Sequence, residues 1–149
     1  MLDILPQIPL FEDLKRDQVA MLKSLFERVP YPPDTTIITQ GEVAIYLYLI
    51  LKGNVAIHYK PYDGPSLVLT RLRAGDVFGW SAMTGRQFYA STIISESDVD
   101  AIRIKGSQVL SLVRNYPETG RIVLNRLARS VSPRWQNAHE QVEALLNSR

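Results

Sequence analysis

Apolar residues recur at helical spacing between Lys15 and Val29, at Val19, Leu22, Leu25 and Phe26, with polar residues between them. That periodicity predicts an amphipathic helix whose stripe is core packing. Pro30, Pro32 and Pro33 then end it, because proline lacks the amide a helix interior needs. From Thr35 to Ile104 the pattern shortens. Thr35–Thr39, Tyr46–Leu51, Val55–Tyr59, Ser66–Leu72, Ser91–Ser95 and Val99–Ile104 are rich in β-branched or aromatic residues and predict strands. Turn signals separate them at Gln40-Gly41-Glu42, Lys52-Gly53-Asn54, Pro61-Tyr62-Asp63-Gly64-Pro65 and Ala74-Gly75-Asp76. The Asp-Gly pair suits a hairpin, since it tolerates positive φ. Short strands at near-regular spacing predict a β-sandwich or barrel.

The tail returns to helical spacing. Ser107 can cap a short helix through Val113, and Pro117 suits the first turn of the next. Ile122, Val123, Leu127 and Val131 supply its stripe. Pro133 should kink or interrupt it, and Trp135, Ala138, Val142 and Leu145 continue an apolar stripe beyond. The expected architecture is α+β, mainly β: a double-stranded β-helix, jelly-roll-like, with an N-terminal helix and C-terminal helices. One domain is expected over 1–149, with the β-roll at about 35–104 and the helical segment at about 107–148.

Composition narrows the chemistry. The chain has no cysteine, which removes disulfides, thiolate catalysis and cysteine-zinc sites. The start lacks a basic n-region and a small-residue cleavage site, and the apolar run Val43–Leu51 is too short to span a bilayer. A cytoplasmic location without membrane association is the expectation. Only two histidines occur, His58 and His139, too few for a cupin-type metal centre and outside any nucleophile-elbow pattern. No catalytic constellation emerges, so the chain is not expected to be an enzyme and no cofactor is expected. Net charge is +2, but Arg103, Lys105, Arg114, Arg121, Arg126, Arg129 and Arg134 face only Glu118 in their stretch. Such a segment is either a solvated helix face or a nucleic-acid surface.

One segment, Gly75 to Thr92, interrupts the strands. It carries Gly75-Asp76-Val77-Phe78-Gly79, a short predicted helix from Trp80 to Met83, and small or hydroxyl residues after Tyr89. A glycine-backed helix start is an anion site by geometry; a glycine-rich tight turn is the alternative.

The stretch from Leu10 to about Ser132 resembles a cyclic nucleotide-binding domain, the sensing module of the catabolite activator protein family. The resemblance rests on Leu10-Phe11 before the helix, on Gln40-Gly41-Glu42, on Tyr48-Leu49-Ile50-Leu51-Lys52-Gly53-Asn54-Val55, and on Gly75-Asp76-Val77-Phe78-Gly79 at the entry to the phosphate-binding cassette. The Phe-Gly-Trp-Ser-Ala sequence resembles one branch of that family. Two departures stand out. Where the family usually has a glutamate for the ribose 2′-hydroxyl, this chain has Trp80. Where it usually has an arginine for the cyclic phosphate, counting back from Asp98–Ile104 gives Tyr89, followed by Ala90-Ser91. A phenol carries no positive charge, and charge-assisted bonds to phosphate are about twice as strong as neutral ones. Arg86, three residues earlier, is the nearest other cation.

The resemblance implies a non-catalytic, ligand-sensing regulatory domain. Its expected ligand-binding residues are Phe78, Gly79, Trp80, Ser81, Ala82, Arg86, Tyr89, Ala90 and Ser91. The amides of Gly79 to Ala82 are expected to face a concavity there. The expected ligand is cyclic AMP or cyclic GMP, weakly held, or another small anion. Trp80 would stack on a base or plug the pocket. The resemblance further implies a homodimer through the C-terminal helices, and an effector protein as partner. The family's DNA-binding domain would begin about where this sequence stops, so none is expected within it. Two alternatives remain at this point: a protein-interaction module with a degenerate pocket, or a nucleic-acid binder through the basic C-terminal helices.

Overall fold

The computed structural model describes residues 8–84 and 86–131. Pro9–Phe11 forms a short 3-10 turn, followed by α1 (Arg16–Leu25). Eight strands follow: β1 (Glu27–Tyr31), β2 (Thr36–Ile38), β3 (Tyr46–Lys52), β4 (Asn54–Tyr59), β5 (Leu67–Arg73), β6 (Val77–Phe78), β7 (Thr92–Ser95) and β8 (Val99–Lys105). A 3-10 turn at Trp80–Ala82 separates β6 from β7. The helices α2 (Gly106–Asn115) and α3 (Pro117–Arg129) follow β8.

The strands make two four-stranded antiparallel sheets, ordered β1-β8-β3-β6 and β2-β7-β4-β5. This is the expected jelly-roll-like, mainly β architecture. Two cores result. One lies between the sheets, where Tyr48, Ile50, Phe78 and Ala101 meet Ile38, Val55, Ile57 and Ile93. The other lies between the first sheet and the helices, where Leu47, Leu49 and Ile104 meet Leu22, Val109, Leu112, Val123 and Leu127. Strand β3 therefore alternates between two apolar environments, which is why it reads as an unbroken apolar run rather than an apolar/polar alternation.

Several boundaries differ from the sequence reading. The first helix ends at Leu25, not Val29, and Glu27–Tyr31 is a strand paired with β8. Pro30 stops a helix, but it is tolerated in β1 because β1 is a sheet edge. Strand β6 was hidden in the glycine-marked segment. Ser107 is not the cap of α2: Lys105 occupies that position, and its amide donates to the Gln108 side chain at 3.2 Å. Pro117 does open α3. The helix expected at Trp80–Met83 is a single 3-10 turn, Trp80–Ala82.

The helices are tied to one another and to the roll. Gln18 Nε2 donates to Thr119 Oγ1 at 2.8 Å, between α1 and α3. Arg126 donates to the carbonyls of Leu10 (3.1 Å) and Glu12 (2.6 Å). Past α3 the chain turns back onto the first sheet: the Val77 amide donates to Ser130 O at 2.8 Å, and Val77 and Val131 form a parallel bridge. Val123, Leu127 and Val131 are buried in this chain's own core. That half of the apolar stripe is not free for a partner helix. The other half, Trp135, Ala138, Val142 and Leu145, lies outside the described residues, as do Pro133, Arg134 and His139. No helix among the described residues is long and apolar enough to cross a membrane.

Candidate functional site

Strand β6 delivers the chain to Gly79, whose φ is +81°. A Cβ there would lie 2.7 Å from Tyr46 O, so close approach to β3 and backbone sign both require glycine. The chain then makes the Trp80–Ala82 turn. Its internal bonds begin with the Ala82 amide donating to Gly79 O at 3.1 Å. Ala82 therefore spends its N–H closing the turn and cannot face a ligand with it, contrary to expectation. The turn also rests on α2: a Cβ on Gly106 would sit 2.2 Å from Ala82 O.

On the far side of the loop Tyr89 returns to the roll. Its hydroxyl donates to Tyr46 O at 2.6 Å and accepts from the Tyr46 amide at 2.9 Å. The Tyr89 side chain thus holds β3 at its first residue. Burial pushes its pKa up to about 12, opposed by the bond to the Tyr46 backbone, so the phenol is neutral at physiological pH. The ring of Tyr46 is itself covered by Arg103, whose guanidinium carbon lies 4.0 Å from the ring centroid and whose Nε donates to Glu27 at 2.6 Å. Tyr48, next inward on the same face of β3, stacks on Phe78 with centroids 4.8 Å apart.

Between these segments lies a partly open cavity of about 20 Å³. Its strand residues are apolar: Ile38, Ile57, Leu72, Val77, Phe78 and Ile93. The rest of the lining is Gly79, Trp80, Ser81, Tyr89, Ala90 and Ser91. Of the nine expected ligand residues, Phe78, Gly79, Trp80, Ser81, Tyr89, Ala90 and Ser91 are brought together here. Ala82 and Arg86 are not among the lining residues, and Arg86 is exposed. Trp80 is half-buried: it lines the cavity while packing against the core on the helix side. No lining residue carries a charge. The strand residues Ile38, Ile57, Leu72 and Ile93 were not expected in the site, because in sequence they are indistinguishable from ordinary core. Tyr46 was missed for another reason: it acts through its backbone.

Other candidates disperse. Among the described residues no three of His, Asp and Glu converge as a metal-ligand group. Of the basic run, Arg103 and Arg126 are engaged within the fold, while Arg114, Arg121 and Arg129 are exposed.

The sequence profile of the cyclic nucleotide-binding domain matches residues 28–116. The chain belongs to this family. The cyclic nucleotide-binding domain of Methylobacillus flagellatus superposes with a TM-score of 0.75, at 24% identity, over 95% of this chain and 79% of that one. The cAMP-activated global transcriptional regulator CRP of Pasteurella multocida is 32% identical over 116 residues, 77% of this chain and 54% of the regulator. The cyclic AMP receptor protein of Thermus thermophilus is 26% identical over 137 residues, covering 92% of this chain and 62% of the receptor. This cyclic nucleotide-binding domain chain therefore spans roughly half to three fifths of the length of these two curated relatives.

Proposed function

We propose that this chain is a non-catalytic regulatory domain of the Phe-Gly-Trp-Ser-Ala branch, in which a small ligand in the cassette cavity sets the position of the C-terminal helices. The observation that carries the reading is the placement of the cavity. Val77, Phe78 and Gly79 line it, and the same Val77 is hydrogen-bonded to Ser130 at the end of α3. A ligand that displaces the turn after β6 therefore acts on the segment through which the chain leaves the helices. Such coupling needs the ligand to favour one arrangement over the other. Cyclic AMP and cyclic GMP bind weakly on this reading, because Trp80 and Tyr89 replace the usual carboxylate and guanidinium. Amide resonances followed during a ligand titration test it: changes at the cassette and at Ser130 support the reading, and an unmoved cassette contradicts it.

A second reading, a protein-interaction module, is favoured by the exposed apolar side chains of Val43 (56% exposed), Ile45 (47%) and Phe88 (47%), with Val43 and Phe88 bridged beside the cassette loop. Homodimerisation now rests on the stripe from Trp135 to Leu145 alone. Sedimentation of the wild type against a Trp135→Ala, Leu145→Ala double variant decides it. A dimer that falls apart in the variant is the expected result; a wild type that stays monomeric at high concentration sinks it.

A further inference from the structure

The lining of the cavity leaves two polar side chains without partners. Ser81 is 8% exposed and Ser91 is 6% exposed, and both line the cavity. Neither hydroxyl has a hydrogen-bond partner among the described residues. Buried polar groups are nearly always bonded, to protein or to ordered water. A cavity of about 20 Å³ holds roughly one water, which is the partner it has room for. Two orphaned hydroxyls in a mostly apolar lining are a site waiting for a hydrogen-bonding group.

The Tyr89 hydroxyl, also in the lining, has no proton left, since it donates to Tyr46 O. No charged side chain lines the cavity. An anion entering it would lose its hydration and meet no countercharge, which is costly in an apolar surround. A neutral polar group loses far less, and the serines replace its water partners. The apolar lining of Ile38, Ile57, Leu72, Phe78 and Ile93 asks for an apolar ring body.

We propose that the cavity takes an uncharged ligand, a ring system bearing hydroxyl groups, held by Ser81 and Ser91 in place of an ion pair. The inference rests on the ligand-sensing reading above and names the ligand class of that site. Entry requires the Gly79–Ala82 turn to lift, because the cavity is water-sized.

Matched pairs that differ only in charge test it. Adenosine is compared with cyclic AMP, and guanosine with cyclic GMP, by calorimetric titration of the whole chain at low and high salt. The expected result is that one nucleoside binds at least tenfold more tightly than its cyclic phosphate, with an affinity that salt leaves unchanged. Ser81→Ala and Ser91→Ala should each weaken nucleoside binding by roughly two- to tenfold, while the melting temperature stays near the wild-type value. A cyclic nucleotide that binds as tightly as its nucleoside overturns the inference and leaves the regulatory reading standing. Nucleoside affinity untouched by both serine substitutions also overturns it. Silence of all four compounds at millimolar concentration overturns both.

Discussion

Alanine at Gly106 destabilises the domain by about 2–3 kcal/mol, within the range for overpacking a well-filled site. The added Cβ would lie 2.2 Å from Ala82 O and 2.9 Å from Ala82 C. Both are backbone atoms, so no rotamer change relieves the contact. Alanine's better helix propensity, at most about 1 kcal/mol, offsets only part of this. The first thing to give is the turn that borders the cavity, so ligand affinity falls along with stability. Gly75→Ala is the matched control. Its φ is +94°, but an added Cβ has nothing within 4 Å, leaving a backbone penalty of about 1 kcal/mol. Thermal melts read the difference at roughly 2–4 °C per kcal/mol for a chain near this size. If Gly106→Ala melts no lower than Gly75→Ala, the turn does not rest on α2 as described.

Arginine at Tyr89 strengthens cyclic AMP binding by about tenfold or more. A charge-assisted bond contributes roughly 1.5–3 kcal/mol, and a guanidinium can grip phosphate with two parallel donors. The same change removes both bonds between the Tyr89 hydroxyl and the Tyr46 backbone, so the ligand-free protein loses on the order of 1–3 kcal/mol. The two effects appear in different measurements: affinity rises while the ligand-free melting temperature drops. Tyr89→Phe separates them, because it loses the bonds to Tyr46 without gaining a charge. It should melt lower and bind cyclic AMP no better than wild type. An arginine variant that folds yet binds cyclic AMP no more tightly would mean that residue 89 does not sit at the phosphate position.

The sequence carries the fold through local signals. The Asp63-Gly64 turn marks the β4–β5 hairpin, and glycines at 53 and 75, both with positive φ, mark the turns that close β3 and β5. Strand β1 is illegible for a physical reason. Glu27–Tyr31 follows a helical stripe without a break and contains Pro30, and only pairing with the distant β8, from Glu27 with Arg103 to Tyr31 with Val99, makes it a strand. Its neighbour contact is specific: the Arg28 guanidinium grips the Asp100 carboxylate with Nε at 3.0 and 3.1 Å. At the site, the cassette was legible because glycine and small residues cluster there. Its chemistry was not. Tyr89 reads as a missing arginine in sequence, whereas in the fold it is a brace for Tyr46. Ser81 and Ser91 stand among the expected ligand residues through the resemblance alone, and their burial in the cavity lining without partners is what the fold adds. The apolar stripe Ile122–Val131 suggested a dimer face because periodicity cannot distinguish a core from an interface. Val123 and Leu127 are spent on the core.

The most direct test of the regulatory reading is a titration of the isotopically labelled chain, followed by amide resonances, with whichever of adenosine and cyclic AMP binds more tightly. The expected changes fall on Gly79, Trp80 and Ser81 and on Tyr89, Ala90 and Ser91, with a second set at Ser130 and Val131, where α3 meets β6. Changes confined to the surface around Arg71, Arg73 and Arg129, with the cassette amides unmoved, would contradict the account.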